Sequence, residues 1–110
     1  TLLPTAALLF RYSALTFNSH RIHYDLPYAR DEEGYPGLVV HGPLQATLLA
    51  DHAARRLGRS LKRFSFRGQG PAFAGISLRL CVLPGADAAS EELALVSEQF
   101  GKTCMTAEAA

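Results

Sequence analysis

Two short segments of this 110-residue chain hold most of the side chains that could exchange protons near neutral pH. Residues 17–25 read Phe-Asn-Ser-His-Arg-Ile-His-Tyr-Asp, and residues 37–44 read Gly-Leu-Val-Val-His-Gly-Pro-Leu. Three of the four histidines lie in these segments. Imidazole can both accept and release a proton near neutrality, and a glycine at a helix start can offer its backbone N–H to negative charge. Together the segments predict proton transfer beside a group on which negative charge develops.

The second segment opens the clearest predicted element, an α-helix over Gly42–Leu57. Pro43 suits the first helical turn, where its missing N–H has no intrahelical partner to lose, and Gly58 is placed to end the helix. Many alanines in this helix indicate close packing against a flat surface such as a sheet. Its apolar residues recur at helical spacing: Leu44, Leu48, Leu49, Ala53 and Leu57.

After Gly58 the apolar period changes to two, which predicts strands. They cover residues 61–67, 76–82, 93–99 and 102–109, with turns at 68–71 and 84–87. A long apolar helix needs its circumference covered, and a curved antiparallel sheet wrapped around it does so. The sequence therefore predicts an α+β chain with the hotdog architecture, a curved antiparallel sheet around one long central helix.

The chain before this helix is less regular. Residues 1–9 form a linker-like lead-in, residues 10–17 predict a short strand or turn, and residues 18–24 predict a loop. Asp25 is a good N-cap for a short helix over residues 26–29.

Composition indicates one globular domain over residues 1–110, since 48% of the residues are apolar and 19% are charged. A net charge of +1 gives no case for a nucleic-acid partner or an anionic membrane. No apolar run approaches the roughly 20 residues that a membrane span needs. Cys81 and Cys104 lack metal-ligand spacing, so we expect no metal and two reduced thiols, with a disulfide as the alternative.

The two segments resemble a known family. Residues 14–25 resemble the hydratase motif of MaoC-like hotdog proteins, Gly-Asp-x-Asn-Pro-Leu-His-x-Asp, with His23 on its catalytic histidine. Residues 40–44 resemble that family's Val-His-Gly-Met-Leu helix start. The chain is most similar to the hydroxyacyl-thioester dehydratase type 2 subgroup, which includes mesaconyl-CoA and itaconyl-CoA hydratases. Its Thr-Phe-Asn-x-His-Arg-Ile-His-Tyr-Asp and Glu-Gly-Tyr-Pro-Gly-Leu-Val-Val-His-Gly-Pro both occur here.

The resemblance implies a hydro-lyase that reversibly hydrates an enoyl thioester or dehydrates a 3-hydroxyacyl thioester. Coenzyme A or the phosphopantetheine of an acyl carrier protein is then part of the substrate, and no separate cofactor is expected. His23 is implied as general base and acid. The N–H of Gly42 is implied as the donor to the thioester oxygen, because Pro43 has no N–H to offer.

One departure from the broader family concerns its catalytic aspartate, which falls on Asn18 here, while its asparagine falls on His20. An amide cannot take up a proton at neutral pH. We therefore expect His23 to act alone, with Asn18 either orienting the water or capping a turn. His20 is either a second acid–base group or a support for the loop.

For three further residues we consider two possible roles each. Arg21 either contacts a phosphate of the substrate arm or is a solvated charge, and we favour the solvated charge. His41 either lines the substrate pocket or packs and caps the helix. Asp25 is better explained as a helix cap than as the missing carboxylate.

A lone hotdog domain leaves a sheet edge and one side of the substrate tunnel unfinished. We therefore expect a second hotdog domain, from a homodimer, an N-terminal half or another subunit. The lead-in and the missing initiator Met resemble the C-terminal half of a double-hotdog chain. Cytoplasmic location is expected, or mitochondrial in a eukaryote. Two alternatives stay open: an acyl-CoA thioesterase with Asp51 as its carboxylate, and a non-catalytic acyl-thioester-binding half.

Overall fold

A computed structural model describes residues 1–83 and 92–110 of the chain, so the turn predicted at residues 84–87 lies outside the described residues. The described residues form an α+β arrangement, as the sequence predicted. A short 3₁₀ turn over Arg21–His23 lies between the first two helices. The other elements, in chain order, are α1 (Ala6–Leu15), α2 (Leu26–Asp31), α3 (Gly42–Leu57), β1 (Phe64–Gly68), β2 (Arg79–Val82), β3 (Leu93–Gln99) and β4 (Lys102–Ala109).

The long helix α3 packs on an antiparallel sheet of four strands, in the order β1-β4-β3-β2. Ala46, Leu49 and Ala53 of the helix are buried together with Leu95 of β3 and Met105 of β4. The small alanine side chains let the helix approach the sheet closely, which confirms the packing predicted for them. The helix has the predicted bounds, and Gly58 ends it in the left-handed conformation at a φ of 72°.

Strands β3 and β4 also have their predicted bounds, because a tight turn through Phe100 and Gly101, both at positive φ, separates them. The prediction of a strand over residues 76–82 is wrong at its start. Leu78 makes a single bridge with Leu2 instead of joining the ladder, and the Ile76 carbonyl accepts a bond from the Gln99 amide. The strand predicted over residues 61–67 is likewise shorter, since β1 begins three residues later.

The prediction of a strand or turn over residues 10–17 is wrong, since α1 is a helix that begins within the lead-in. Thr5 caps this helix by accepting a hydrogen bond from the N–H of Leu8 at 3.1 Å. Leu9 is fully buried, so the end of the lead-in packs into the domain. The short helix α2 is confirmed with Asp25 as its N-cap, and it runs two residues further than predicted.

A second apolar cluster places the segments that lead to α3. The extended residues 38–40 pair with residues 72–74: the N–H of Val40 donates to the Ala72 carbonyl, and the N–H of Ala74 donates to the Leu38 carbonyl. This pairing holds the start of α3 against α1 and α2. The cluster contains Leu9, Ala29, Leu38, Val40, Leu44, Ala72, Leu78 and Cys104.

Both cysteines have free thiols, with Cys104 buried and Cys81 half-buried. Among the helices formed by residues 1–83 and 92–110, none is long and apolar enough to cross a membrane.

Candidate active site

His23 ends the 3₁₀ turn, and its side chain is buried with 7% of its surface exposed. Its Nδ1 lies 2.7 Å from the Val39 carbonyl oxygen. Because a carbonyl oxygen can only accept, Nδ1 must carry the hydrogen, and neutral His23 then has its free lone pair on Nε2. The N–H of Val39 donates in turn to the Ile22 carbonyl at 2.9 Å. These two bonds fix the imidazole to the segment that leads into α3.

His41 lies directly before α3 and has no exposed surface. Its ring stacks on the ring of His23, with centroids 3.7 Å apart and planes 17° apart. Its Nε2 lies 2.7 Å from the hydroxyl oxygen of Ser13, and the ring of Tyr12 meets it edge-on at 4.7 Å. Its Nδ1 has no hydrogen-bond partner among the residues that the structure describes. The side chain of His41 therefore supports His23 from behind and presents no surface to a ligand.

Burial lowers the pKa of both stacked histidines. The pKa of His23 is lowered by desolvation, which outweighs the opposing bond to Val39, and the charge of nearby His20 lowers it further. Desolvation and the neighbouring His23 lower the pKa of His41 to about 4. Both rings are consequently neutral at pH 7, which leaves Nε2 of His23 ready to accept a proton.

The N-terminus of α3 follows His41 without a break. The first N–H groups of a helix have no partner within it, and Pro43 has none to offer. Gln45 donates its N–H to the His41 carbonyl at 3.1 Å, so the N–H groups of Gly42 and Leu44 are the donors left for an anion. A Cβ built on Gly42 would meet nothing within 4 Å. The protein's own packing therefore does not require glycine here, and the space beside this backbone is open.

Asn18 closes the turn that carries the histidines. Its Oδ1 accepts a hydrogen bond from the N–H of His20 at 3.0 Å, and its own N–H donates to the Ser13 carbonyl at 2.9 Å. This is the turn-capping arrangement that the sequence left open for Asn18. His20 itself is exposed, and its ring meets that of His23 edge-on at 5.7 Å.

Arg21 and Asp25 form an ion pair at 2.9 Å on the outer side of the same turn. The guanidinium of Arg21 also lies over the ring of Tyr28, 4.2 Å from its centroid. Hydrogen bonds from Arg21 and from the N–H of Tyr28 lower the pKa of Asp25, so this carboxyl group is ionised at neutral pH. Asp25 therefore serves as a helix cap and ion-pair partner, which leaves the turn without a protonated carboxyl group.

A shallow pocket of about 350 Å³ lies beside the turn, lined by Phe10, Ser13, Ala14, Phe17, Asn18, Ser19 and Tyr24. Phe17 stands at a φ of 54° and is 94% exposed. Sequence reasoning missed Ser13 and Tyr12, because it did not recognise the helix that brings them to His41. The Thr5 cap followed by alanines and leucines was the available signal for that helix.

The structure thus brings His20, His23, His41, Asn18 and the Gly42 N-terminus into one region. A neutral imidazole with a free Nε2 can move protons, and free helix N–H groups can stabilise an oxyanion. In the described part of the chain, no group of three or more His, Cys, Asp or Glu side chains is placed to share a metal ion.

Comparison with known sequences agrees with this chemistry. The family model described as hydroxyacyl-thioester dehydratase type 2 matches residues 1–74. A mesaconyl-C(4)-CoA hydratase from Chloroflexus aurantiacus is 58% identical over 87 residues, which are 79% of this chain and 31% of that protein. The mitochondrial hydroxyacyl-thioester dehydratase type 2 of Schizosaccharomyces pombe is 43% identical over 82 residues, covering 72% of this chain and 27% of that protein. The chain spans less than a third of the length of these relatives.

Solved structures share the fold. A MaoC-like dehydratase superposes with a TM-score of 0.82 at 18% identity, over 99% of this chain and 37% of that one. An (R)-hydratase from A. caviae gives 0.76 at 22% identity, over 98% of this chain and 86% of that one. The ChsH1–ChsH2 complex of Mycobacterium tuberculosis gives 0.74 at 16% identity, over 98% of this chain and 87% of that one. These likenesses confirm the predicted hotdog fold.

Proposed function

Because the chain belongs to the hydroxyacyl-thioester dehydratase type 2 family, we propose that its protein reversibly adds water to the double bond of an enoyl thioester. The observation that carries the proposal is the neutral His23, held by Val39 with its Nε2 free, next to the helix N-terminus at Gly42. Such a pair supplies the two things the reaction needs, a proton carrier and a donor to the thioester oxygen.

In the hydration direction, Nε2 of His23 takes a proton from water as the water oxygen bonds to Cβ. The electrons of the double bond then shift to the thioester oxygen, where the N–H of Gly42 stabilises the negative charge. His23 returns the proton to Cα as the carbonyl re-forms, so the atoms of one water are added and the base is regenerated. Dehydration follows the same steps in reverse.

We assign Asn18 to the turn that holds His23, and we assign no proton transfer to it because an amide cannot exchange one at neutral pH. Arg21 and His20 stand on the exposed side of the turn, where a phosphate or a polar group of the substrate arm could reach them. Arg21 already pairs with Asp25, which favours a supporting role for it.

Mesaconyl-CoA is the first substrate to test, because the relative with 58% identity is a mesaconyl-C(4)-CoA hydratase. The thioester is to coenzyme A or to an acyl carrier protein, and the coenzyme or its phosphopantetheine enters as part of the substrate. No further cofactor is proposed.

A second hotdog domain completes the site in this proposal, from an N-terminal half, another copy or a separate subunit. The short coverage of the curated relatives supports a longer chain, and the ChsH1–ChsH2 complex supports a partner subunit. We propose a cytoplasmic location, or a mitochondrial one if the protein is eukaryotic, because the Schizosaccharomyces pombe relative is mitochondrial.

Thioester hydrolysis receives less support. Asp51, the carboxylate that a thioesterase reading would use, is exposed and pairs with Arg55 at 2.9 Å on the outer face of α3. That pairing gives it no buried neighbour that would tune it for catalysis.

The test is to incubate the full-length protein with mesaconyl-, itaconyl- and crotonyl-CoA while following the enoyl-thioester absorbance and free thiol separately. Loss of the double-bond signal without thiol release is the expected result. Thiol release with an intact double bond would instead establish a thioesterase. Binding without either change would establish a non-catalytic half.

A further inference from the structure

We propose that Ser13 and His41 act as a pair of positioning residues, which hold the plane of the His23 ring and aim its Nε2 at the substrate. The inference rests on the proposed function and deepens it, since it names side chains that act on the substrate through His23. Neither residue touches the substrate in this account.

The first support is the layered geometry of the three side chains. The hydroxyl of Ser13 meets Nε2 of His41 at 2.7 Å, and the ring of His41 lies 3.7 Å from that of His23. The bond from Nδ1 to the Val39 carbonyl fixes one edge of the His23 ring but still allows the ring to tilt about that bond. The flat contact with His41 removes this freedom, so the direction of Nε2 is set by both contacts together.

The second support is burial. Ser13 is 6% exposed and His41 is fully buried, so water does not compete with the hydrogen bond between them. With Nδ1 of His41 lacking a described partner, the bond to Ser13 is the hydrogen bond that orients this ring. If it is lost, neither ring nitrogen of His41 keeps a described partner in the buried layer.

The third support is the position of Ser13 in the chain. Its carbonyl accepts the N–H of Asn18, and its hydroxyl contacts His41, so one residue joins the end of α1 both to the turn and to the start of α3. Titratable groups that face His23 are His20 on its own turn and His41 at the N-cap of α3, while Tyr12 of α1 faces His41. Loosening the layer would admit water beneath His23.

The direction of the resulting change in pH dependence follows from burial. His23 must be neutral to accept a proton, so activity falls on the acid side as His23 becomes protonated. Burial keeps the pKa of His23 below its ordinary value, and contact of solvent water with the ring would raise this pKa again. The acid limb of kcat/KM should consequently move to higher pH when the layer is loosened.

The test compares Ser13→Ala, Ser13→Thr and Thr16→Ala in the full-length protein. Ser13→Ala removes the hydroxyl and Ser13→Thr keeps it. Thr16→Ala removes an exposed hydroxyl at the C-cap of α1, which donates to the Tyr12 carbonyl. We expect Ser13→Ala to lower kcat about tenfold with little change in KM, because small misplacement of a reacting group is costly. The acid limb of the kcat/KM profile of Ser13→Ala should move to higher pH. Ser13→Thr should restore most of kcat, and Thr16→Ala should have the kcat and pH profile of wild type.

A measurement on the unmodified protein keeps the proposal falsifiable if Ser13→Ala does not fold. Imidazole ¹⁵N spectra should show His23 as one fixed tautomer, with hydrogen on Nδ1, and His41 neutral down to about pH 5. Averaged tautomers of His23, or a Ser13→Ala variant with the kinetics and pH profile of Thr16→Ala, would overturn the proposal. Wild-type protein that hydrates no thioester would refute the proposed function, while the protonation state of buried His41 in the spectra would still test the layer separately.

Discussion

The imidazole ring of His41 lies flat against that of His23, with centroids 3.7 Å apart, while His41 is also the residue that precedes the helix donor Gly42. One contact therefore ties the proposed proton carrier to the helix N-terminus that we propose stabilises negative charge. Since the two histidines are 18 residues apart along the chain, their relative placement is a product of the fold.

Gly42→Ala should leave the fold intact and remove most of the activity. The added Cβ meets no protein atom within 4 Å, so neither packing nor helix formation opposes it. The methyl group would instead occupy the space through which the thioester oxygen reaches the backbone N–H. We expect kcat to fall about 100-fold, the usual effect of losing one oxyanion donor. Steady-state kinetics and thermal denaturation measure the two effects.

Gly37→Ala is the matched control for that variant, because its Cβ also meets nothing within 4 Å and it lies outside the helix start. It should keep wild-type kcat. Full activity in Gly42→Ala would contradict the role assigned to this N–H.

Asn18→Ala should lower activity about tenfold and leave a measurable rate. The substitution removes the acceptor for the N–H of His20, so the turn that carries His23 loosens without losing its proton carrier. Asn18→Asp keeps an acceptor at that position and should retain more activity than Asn18→Ala. Steady-state assays of both variants beside Ser19→Ala make the comparison. Complete loss in Asn18→Ala, equal to that of a His23 variant, would contradict the single-base scheme.

His41 should make the protein lose stability in acid. Its pKa is about 4 in the folded protein and near 6.5 when unfolded, so between these values only the unfolded chain binds the proton. The free energy of unfolding should therefore fall by about 3 kcal/mol as pH drops from 6.5 to 4 on account of this residue. Denaturant titrations across that range measure the slope.

His41→Asn is the comparison for that slope, since it removes the titrating group. This variant should be less stable than wild type at pH 7 and show a flatter pH dependence between pH 6.5 and 4. Parallel stability profiles for the two proteins would argue against a neutral buried His41.

Asp51→Asn should leave the hydration rate unchanged. Its carboxylate is exposed and bonded to Arg55, on the outer face of α3. Initial rates of the variant and of wild type on the same enoyl thioester provide the measurement. A large loss of thioester turnover would favour the hydrolytic reading, in which a carboxylate on the long helix does the chemistry.

Much of the fold follows from short-range signals in the sequence. The bounds of α3, β3 and β4 were predictable because regular periodicity runs between clear breaks, with Gly58 and Gly101 adopting the positive φ that glycine tolerates. Asp25 was predictable as a cap for the same reason, since the bond to the Tyr28 N–H is local. Helix α1 was missed because aromatic residues masked a helix whose start depends on Thr5.

Several residues of the site were predictable from the sequence, but the contacts between them were not. His23, Asn18 and Gly42 were named from their motifs, but the stack of His23 on His41 joins residues far apart in sequence. The bond from Ser13 to His41 spans 28 residues and depends on the unpredicted helix, so no local pattern could indicate it. The sequence also left two roles for Asn18, and the geometry of its bond to His20 supplies the turn-capping one.

The most direct test of the account is the rate of enoyl-thioester absorbance loss for wild type and His23→Gln in the full-length protein. Glutamine can still donate to the Val39 carbonyl but cannot carry a proton, so the variant separates position from chemistry. The account predicts hydration by wild type, and a loss of about 10²–10⁴-fold in His23→Gln with the fold retained. Wild-type rates in His23→Gln would contradict the assignment of His23 as the acid–base group.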